Sequence, residues 1–321
     1  MVIRNDHART GEHARQQGLR PAGETAGHAR CGRRPGAGRG ILVPAGAAVP
    51  PAPVGHPEGH PERERTDMTT VGLLYPGHAA EDDFPRIEVM LDSDIRVPLF
   101  HTDIDEDARR VENLREAGAP DRLSAGVEEL RMAGAESLVW ACSGGSFAYG
   151  WDGAHEQAAG LARAAGLPAS SSSIAFVQAV RELGASRVAV AATYSEDVAA
   201  LFAGFLKSGG VEVTATRGSG IIAASEAAAA DVELVKELAV AGDHPDAEVV
   251  LLPDNALHTA AYVPELEELL GKPVLTANQV AVWEGLRLAE RRIWAPTLGT
   301  LFATREPPLG ASEPRGIEVR E

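Results

Sequence analysis

The feature that most constrains the fold is a regular alternation of short apolar segments with longer segments of helical periodicity, which starts directly after Met68. Short runs of Val, Leu and Ala bounded by Gly, Pro or polar residues are typical of buried strands. Strands that alternate with helices predict an α/β protein with parallel sheets covered by helices on both faces. The predicted strands are Val71–Tyr75, Ile95–Phe100, Ser137–Ala141, Arg187–Ala192, Val211–Thr216, Ala247–Leu252 and Pro273–Leu275. The predicted helices are Asp82–Leu91, Asp105–Ala117, Leu123–Ala133, Ala154–Ala165, Ile174–Leu183, Ser195–Ser208, Ala227–Ala241, Pro264–Leu270 and Asn278–Glu290.

Length and composition narrow the class of protein. The 321 residues, 44% of them hydrophobic, suffice for a sizeable core and one or two domains. A formal net charge of −16 makes the chain a poor partner for nucleic acid or an anionic membrane. The sequence contains no run of about 18 apolar residues, so no membrane span is predicted. The two cysteines, Cys31 and Cys142, lie in very different segments, so we expect no disulfide and a reducing, cytoplasmic compartment.

Residues 1–67 differ in composition from the rest of the chain. They contain ten Arg, no Lys, five of the ten His and many Gly and Pro, with hardly any apolar periodicity. Such a segment cannot offset its ordering entropy by burial, so we predict that it is disordered. Met68 precedes the first predicted strand directly, which suggests that it is the true initiator; a genuine basic tail is the alternative. Residues 305–321, rich in Pro, Gly and charge, are predicted to fray.

The stretch Ser137-Leu-Val-Trp-Ala-Cys142-Ser-Gly-Gly-Ser146 is the strongest candidate for a functional site. Apolar residues lead into a cysteine and a glycine-rich turn, so Cys142 is expected at the carboxyl end of a buried strand, where open α/β sheets bind ligands. Backbone N–H groups of residues 143–146 would favour an anion there, and also a thiolate, which makes Cys142 a candidate nucleophile or base. The alternative is that Cys142 is a small core residue.

A weak internal repeat links this stretch to a later one. Cys142–Ser146 follows a strand and precedes a helix and Gly166-Leu-Pro168, while Pro253-Asp254-Asn255 follows a strand and precedes a helix and Gly271-Lys-Pro273. Two similar α/β halves would each place one loop at a shared cleft, with Cys142 and Asp254 on opposite faces of one substrate carbon. Asp254 is interpreted as a general acid or base or as a helix N-cap, and the two roles are compatible.

Four motifs carry a resemblance to a known superfamily. They are Gly72-Leu-Leu-Tyr-Pro76, Cys142-Ser-Gly-Gly-Ser146, Val188-Ala-Val-Ala-Ala-Thr-Tyr194 and Leu269-Leu-Gly-Lys-Pro-Val-Leu-Thr-Ala-Asn-Gln279. Over about residues 69 to 304 the chain resembles the aspartate/glutamate racemase superfamily, in particular its branch of maleate cis–trans isomerases and arylmalonate decarboxylases. The resemblance implies two flavodoxin-like α/β domains related by a pseudo-twofold, an active site in the cleft between them, and no metal or organic cofactor.

The resemblance also implies roles for residues, and the chain departs from the family pattern at several of them. In maleate isomerases one cysteine attacks the substrate double bond and a second handles a proton; Cys142 falls on the first position, and Asp254 or Asn255 occupies the second. The decarboxylases have glycine at the first position and cysteine at the second, so the chain matches neither pattern. Tyr194 falls where the isomerases place a tyrosine that contacts a substrate carboxylate. Residues 77–83 replace the polar cluster that is usual in the first loop.

We therefore expect a cofactor-independent isomerase of a small carboxylate or dicarboxylate, with Cys142 as nucleophile and Asp254 as proton donor or acceptor. The alternatives are a decarboxylase of substituted malonates and a carboxylate-binding protein without catalytic activity. The expected partner is a small carboxylate, not nucleic acid or a membrane, and a homo-oligomer is expected. The residues predicted to bind substrate are Pro76, His78, Ser143, Gly144, Gly145, Tyr194, Asn255 and Asn278.

The predicted domain boundaries follow the repeat. The first α/β domain is expected to span residues 68–180, with residues 276–304 packing back on it. The second is expected to span residues 181–275.

No metal site is predicted. Asp103, Asp105 and Asp107 resemble the start of a calcium-binding loop, but Ala108 stands where the required glycine would be. His155-Glu156 lacks the second histidine of a zinc-binding helix.

Overall fold

The structure is a computed structural model that describes residues 68–104, 110–221 and 223–304. Residues 1–67, residues 305–321 and the first part of the predicted helix Asp105–Ala117 lie outside the described residues, so what was expected of them stays a prediction. Among the described residues, no helix combines the length and the apolar character needed to cross a membrane.

The first parallel sheet is built around β1 (Thr69–Pro76). β1 pairs with β2 (Ile95–Arg96) and β3 (Leu99–Thr102) and also with β4 (Ser137–Trp140), and β5 (Ala169–Ser171) pairs with β4. Nearly every residue of β1 and β4 is buried, as expected for parallel strands that helices cover on both faces.

The second parallel sheet has the strand order β7-β6-β8-β9. Its strands are β6 (Arg187–Ala192), β7 (Glu212–Gly218), β8 (Val249–Leu252) and β9 (Val274–Thr276). All of its strand pairs are parallel. The prediction of two parallel-sheet α/β regions is confirmed.

Helices cover both sheets because each of them buries one apolar face. In α6, for example, Ala154, Ala158, Leu161 and Ala165 recur every three or four residues and are all buried. The helices are α1 (Asp83–Met90), α2 (Val111–Ala117), α3 (Pro120–Ala125), α4 (Val127–Met132), α5 (Gly144–Phe147), α6 (Gly150–Ala165), α7 (Ser172–Glu182), α8 (Glu196–Ser208), α9 (Ala224–Ala228), α10 (Val232–Gly242), α11 (Val263–Leu270) and α12 (Ala277–Leu288). Single 3₁₀ turns occupy Ala260–Tyr262, Pro296–Leu298 and Thr300–Ala303.

The internal repeat is visible at two matching helix ends. α6 ends at Gly166 (φ 66°) and α11 at Gly271 (φ 63°), and this left-handed conformation suits glycine. A three-residue strand and a helix follow each glycine, β5 and α7 in one case and β9 and α12 in the other. α12 packs against β4 and α7, and the Ser137 hydroxyl donates a 2.8 Å hydrogen bond to the Gly285 carbonyl. The division into domains stays a prediction.

The observed strands differ from the predicted ones in two places, for local reasons. The predicted strand Ile95–Phe100 is interrupted at Val97-Pro98, because proline has no N–H to donate to the ladder. β5 was not predicted, because Ala-Ser-Ser has little apolar character and extends only by pairing with β4.

Two predicted helices are each observed as two shorter ones. The predicted helix Leu123–Ala133 is divided at Gly126, which packs so closely against Phe100 that a Cβ would come within 2.3 Å of its ring. The predicted helix Ala227–Ala241 starts afresh at Asp231, whose side chain accepts a 2.9 Å hydrogen bond from the backbone of α10.

Candidate active site

The carboxyl ends of strands from both sheets meet around one cavity, at the edge where parallel sheets bind ligands. The empty space around it, counted out to open solvent, is about 580 Å³. The residues that line it are Tyr75, Pro76, Ala79, Ile104, Asn113, Leu114, Ala117, Cys142, Ser143, Gly144, Tyr194, Ala224, Asp254, Asn255 and Ala256.

Cys142 lies two residues beyond β4, with 9% of its surface exposed. The backbone N–H of Gly145 donates a 3.2 Å hydrogen bond to its Sγ, an arrangement that stabilises charge on the sulfur. A Cβ on Gly145 would lie 2.9 Å from the ring nitrogen of Trp140 and 3.1 Å from Sγ, so glycine leaves room for the thiol there, whereas a Cβ on Gly144 would meet only the movable end of Leu114, at 2.6 Å. Cys142 therefore belongs both to the edge of the core and to the cavity wall.

The backbone N–H groups of residues 143–146 are largely used within the protein. The N–H of Ser143 donates to Oδ1 of Asn255 at 2.8 Å, and the N–H of Ser146 donates to the carbonyl of Ser143 at 3.0 Å. The expectation that all four groups face a ligand is therefore wrong. The physical reason is that α5 begins at Gly144, so the backbone groups of residues 143–146 form hydrogen bonds within its first turn.

Asn255 ties the loops after β4 and β8 together. Its Oδ1 accepts hydrogen bonds from the N–H and the hydroxyl of Ser143 at 2.8 and 3.0 Å, and its Nδ2 donates to Ser172 and Asn278, both at 3.1 Å. These four bonds use every donor and acceptor position of the amide. Asn255 lines the cavity, but we assign its side chain a positioning role, since none of these positions remains for a substrate.

Asp254 is 3% exposed and lies in the loop after β8. Its Oδ2 accepts a hydrogen bond from the Thr193 hydroxyl, and its Oδ1 accepts one of 3.0 Å from the N–H of Ala256. No helix begins here, since the next regular segment is the 3₁₀ turn Ala260–Tyr262. The interpretation as a helix N-cap is therefore wrong, and the carboxylate instead closes a turn within the loop. Asp254 and Cys142 line the same cavity from different sheets.

Tyr75, the seventh residue of β1, braces the loop after β8. Its hydroxyl donates a 2.9 Å hydrogen bond to the carbonyl of Asn255 and accepts one of 3.0 Å from the N–H of Ala80. Burial raises the pKa of Tyr75 far above its usual range, and the negative charge of Asp254 raises it further. The hydrogen bond from the N–H of Ala80 lowers the pKa, but by less. The phenol therefore stays neutral and acts as a hydrogen-bond donor.

Tyr194, after β6, braces the same loop from the second sheet. Its hydroxyl donates a 3.2 Å hydrogen bond to the carbonyl of Pro253. Its ring packs edge-on against Phe147, with 5.7 Å between the ring centroids. Tyr194 thus lies at the cavity wall with its ring fixed by the first half of the molecule.

A second buried polar cluster lies behind Asn255 and is centred on Asp83. Oδ2 of Asp83 accepts hydrogen bonds from the N–H groups of Thr259 and Ala260 and from Nδ2 of Asn278. Burial raises the pKa of Asp83, although these three donors act in the opposite direction. The predicted contact of Asn278 with substrate is wrong, because this side chain is fully buried between Asp83 and Asn255 and does not line the cavity.

His78 and Gly145 also lie outside the cavity lining. The side chain of His78 is 72% exposed, its Nδ1 lies 3.2 Å from Glu81, and its ring centroid lies 4.1 Å from that of His101. Gly145 contributes through its N–H to the thiol. The other residues predicted to bind substrate lie at the wall together with the two predicted catalytic residues: Pro76, Ser143, Gly144, Tyr194, Asn255, Cys142 and Asp254.

Several wall residues were missed by the sequence analysis. Ile104, Leu114 and Ala117 come from the segment between β3 and α3, together with Asn113, and Ala224 comes from the start of α9. They stand in none of the motifs. The apolar face of the predicted helix Asp105–Ala117 was a sign of Leu114 and Ala117 only, since Ile104 and Ala224 lie outside every predicted helix. Among the described residues that line the cavity, none is Lys, Arg or His, and much of the wall is apolar.

Comparison with protein families decides the relationship. Residues 111–302 match the model of the arylmalonate decarboxylase family. The chain belongs to this family. An arylmalonate decarboxylase from Bordetella bronchiseptica is 34% identical over 145 residues, which cover 44% of this chain and 60% of that protein. The match thus spans less than two thirds of this relative's length.

Solved structures share the fold over nearly their whole length. A variant of arylmalonate decarboxylase with one glycine replaced by cysteine, in a form with sulfate, is 26% identical and superposes with a TM-score of 0.61 over 73% of this chain and 99% of its own. A cysteine-to-serine variant of Nocardia farcinica maleate cis–trans isomerase, with a covalently bound succinylcysteine intermediate, is 20% identical and superposes with a TM-score of 0.68 over 74% and 99%. The predicted resemblance to the aspartate/glutamate racemase superfamily is confirmed.

Proposed function

We propose that the protein is a cofactor-independent enzyme that moves a proton at the carbon next to a carboxylate, and that its reaction is the decarboxylation of a substituted malonate. The position of Cys142 carries the proposal. Its thiol, with an N–H donor at the sulfur, lies in the wall of a cavity that is largely apolar. A thiol in such a place can give a proton to a carbanion and recover it from water.

In the proposed reaction the bond between the α-carbon and one carboxylate breaks, and CO₂ leaves. The electron pair of that bond passes to the remaining carboxylate, which becomes an enediolate. Cys142 then gives its proton to the α-carbon, and the thiolate takes a proton from water. The hydroxyl groups of Ser143 and Tyr194 are proposed to turn from their protein partners to the enediolate, on which they stabilise the negative charge.

The substituent of the malonate is proposed to lie against Ile104, Leu114 and Ala117, which form an apolar part of the wall. Burying an apolar ring or chain there is favourable by about 25 cal/mol for each Å² removed from water. Maleate has no apolar arm that could fill this part of the cavity. The wall therefore favours a malonate with an aryl or alkyl substituent.

The descriptions of one matching family and one matching protein support decarboxylation. The matching family model and the curated relative are both described as arylmalonate decarboxylase. The match covers 60% of that relative's length.

The isomerase expected from the sequence is the second candidate, and the position of Asp254 favours it. Asp254 and Cys142 come from different sheets and line one cavity. Isomerisation of a C=C bond by transient addition of a thiolate needs a nucleophile on the carbon and a second group that handles a proton. Cys142 would add to the double bond, and Asp254 would handle the proton.

Proton NMR in heavy water separates these candidates. The full chain is incubated with phenylmalonate, maleate, aspartate and glutamate, and Cys142→Ser serves as the matched control. We expect loss of CO₂ from phenylmalonate, with solvent deuterium at the α-carbon of the product, and no such reaction in the control. Conversion of maleate alone would replace the proposal by the second candidate. If none of these compounds reacts, the result would favour a carboxylate-binding protein without catalytic activity.

The configuration of the product is an independent readout. The family resemblance places the cysteine of the decarboxylases on the loop of the second half, whereas Cys142 lies on the loop of the first. The proton should therefore reach the opposite face of the α-carbon. With an α-methyl-α-arylmalonate, we expect the mirror image of the product that a decarboxylase with its cysteine on the second-half loop forms. The same enantiomer from both would remove Cys142 as the donor.

A further inference from the structure

Three side chains beside the cavity form a cluster that the proposed function does not use. His78 and Glu81 lie between β1 and α1, and His101 lies in β3, directly opposite Tyr75 in the strand register. Nδ1 of His78 is 3.2 Å from Oε1 of Glu81, and Nε2 of His101 is 3.9 Å from the same oxygen. One ligand atom from each residue can be chosen so that all three lie within 4.8 Å of one another.

Hydrogen bonding within this cluster does not satisfy all of its atoms. In the part of the chain that the structure describes, no hydrogen-bond partner reaches Oε2 of Glu81 or Nε2 of His101, although both atoms are shielded from solvent. Buried polar atoms normally have partners, so the two call for an explanation. A cation held between the carboxylate and the imidazoles would give Nε2 of His101 a partner.

We propose that His78, Glu81 and His101 bind a divalent transition-metal ion, of which Zn²⁺ fits best. Two imidazole nitrogens and one carboxylate oxygen are a donor set that Zn²⁺ accepts, with water as its fourth ligand. Mg²⁺ and Ca²⁺ prefer oxygen ligands, so a site with two histidines selects against them.

The distances suit such an ion. Bonds of about 2.0 to 2.2 Å to nitrogen and oxygen place the ligand atoms of a tetrahedral site roughly 3.3 Å apart. The separation of 3.2 Å between His78 and Glu81 already meets this geometry. The separation of 3.9 Å between His101 and Glu81 requires only a small rotation of side chains that are a third exposed.

The ion would connect the loop after β1 to β3, next to the cavity but apart from the thiol. Pro76 and Ala79, two residues before and one residue after His78 in the chain, line the cavity. The Tyr75 ring, also in the lining, packs edge-on against His101, with 6.3 Å between the centroids. We therefore assign the ion the role of holding this part of the wall in shape, with no part in breaking the C–C bond.

Metal titration of the full chain tests the site. Protein stripped with a chelator is titrated with Zn²⁺ by calorimetry and with Co²⁺ by visible absorption. The double variant His78→Ala/His101→Ala should lose one equivalent of bound metal, whereas His155→Ala, which removes an exposed histidine on α6, should lose none. Five of the ten histidines precede Met68, and they are present in every variant, so their contribution cancels in the comparison.

Two further measurements keep the test decisive. Zn²⁺ should raise the melting temperature of the wild type but not that of the double variant, because only a folded site binds the ion. Glu81→Gln, which preserves the size of the side chain, should weaken binding by at least the roughly 10- to 100-fold that loss of an outer hydrogen-bonding partner costs a metal site. Equal stoichiometry in wild type and double variant would overturn the proposal. If the double variant does not fold, unchanged affinity in Glu81→Gln would overturn it.

Discussion

The loops after β4 and β8 occupy matching places in the two halves, but their polar groups are arranged in opposite ways. In the first loop, the thiol of Cys142 accepts a hydrogen bond from one backbone N–H and lines the cavity. In the second, the carboxylate of Asp254 is bonded through one oxygen to Thr193 and through the other to Ala256, and the amide of Asn255 is fully used. One loop presents a reactive group, and the other is held by its own contacts.

Matching positions in a repeat therefore need not share their chemistry. A change in the protonation of Asp254 would disturb its bonds to Thr193 and Ala256, which also hold the loop in place. The thiol of Cys142 is a weak acceptor, and a proton can join or leave it without such a rearrangement. The chemistry is therefore expected to depend on the first loop, while the second supplies position and shape.

The largest expected effect is the loss of activity in Cys142→Ala. If the thiol is the proton donor, kcat/KM for an arylmalonate should fall by roughly 10²- to 10⁴-fold, or about 3 to 5 kcal/mol in barrier height. Steady-state kinetics measures the loss. Cys142→Ser, which is close in size, should be similarly inactive, and both variants should melt near the wild type. Retained activity in either variant would contradict the assignment of the chemistry to the first loop.

The next largest effect concerns stability and the second loop. Asn255→Ala should lower the free energy of unfolding by about 2 to 4 kcal/mol, because it leaves buried groups of Ser143, Ser172 and Asn278 without their partner. Urea denaturation measures the change. In a double-mutant cycle with Ser172→Ala the two losses should not add, since the variants remove the same bond. Additive losses would mean that Asn255 does not fasten the loops.

The fold was predictable wherever local sequence decides it. Apolar runs such as Val71–Tyr75 and Arg187–Ala192 predicted both sheets, because strands buried on both faces must be apolar. β5 escaped prediction because Ala-Ser-Ser carries no such pattern. The repeat held the missing information, since Gly166-Leu-Pro168 matches Gly271-Lys-Pro273, which precedes the predicted β9.

The site was predictable only at the ends of strands. Cys142 and Asp254 each lie two residues beyond the end of a strand, so topology alone brings them to one edge. Leu114 lines the cavity because of how α2 packs, and this packing cannot be read from the local sequence. Asn278 was placed wrongly for the same reason, because its burial depends on Asp83, a contact between distant parts of the chain.

A smaller effect is expected from pH, through the cluster behind Asn255. Because burial raises the pKa of Asp83 in the folded protein, the folded state holds this proton to higher pH than the unfolded chain, which ionises from about pH 4. The contribution of Asp83 to stability should therefore fall as pH rises from there to the folded-state pKa, and stay constant above it. Asp83→Asn should remove this fall in urea denaturation measured from pH 4.5 to 8. Asp152→Asn, an exposed carboxylate on α6, should leave it unchanged, and a fall that persists in Asp83→Asn would contradict the assignment.

The smallest expected effect is the one that decides between the two proposed reactions. Asparagine at position 254 can keep both hydrogen bonds, since its oxygen can accept from the N–H of Ala256 and its nitrogen can donate to the hydroxyl of Thr193. Asp254→Asn should therefore melt near the wild type, whereas Asp254→Ala, which loses both bonds, should be less stable by about 1 to 3 kcal/mol.

If Cys142 alone moves the proton, Asp254→Asn should decarboxylate an arylmalonate within about tenfold of the wild-type rate, or about 1.4 kcal/mol in barrier height. An isomerase that needs a group on each side of the substrate should lose turnover of maleate completely in the same variant. Rates on both substrates, measured beside the melting temperatures of the two variants, separate chemistry from loop stability. A loss of 10²-fold or more in decarboxylation by a well-folded Asp254→Asn would show that the second loop does chemistry after all. The two halves would then act as a matched pair of proton-handling loops, as the repeat in the sequence first suggested.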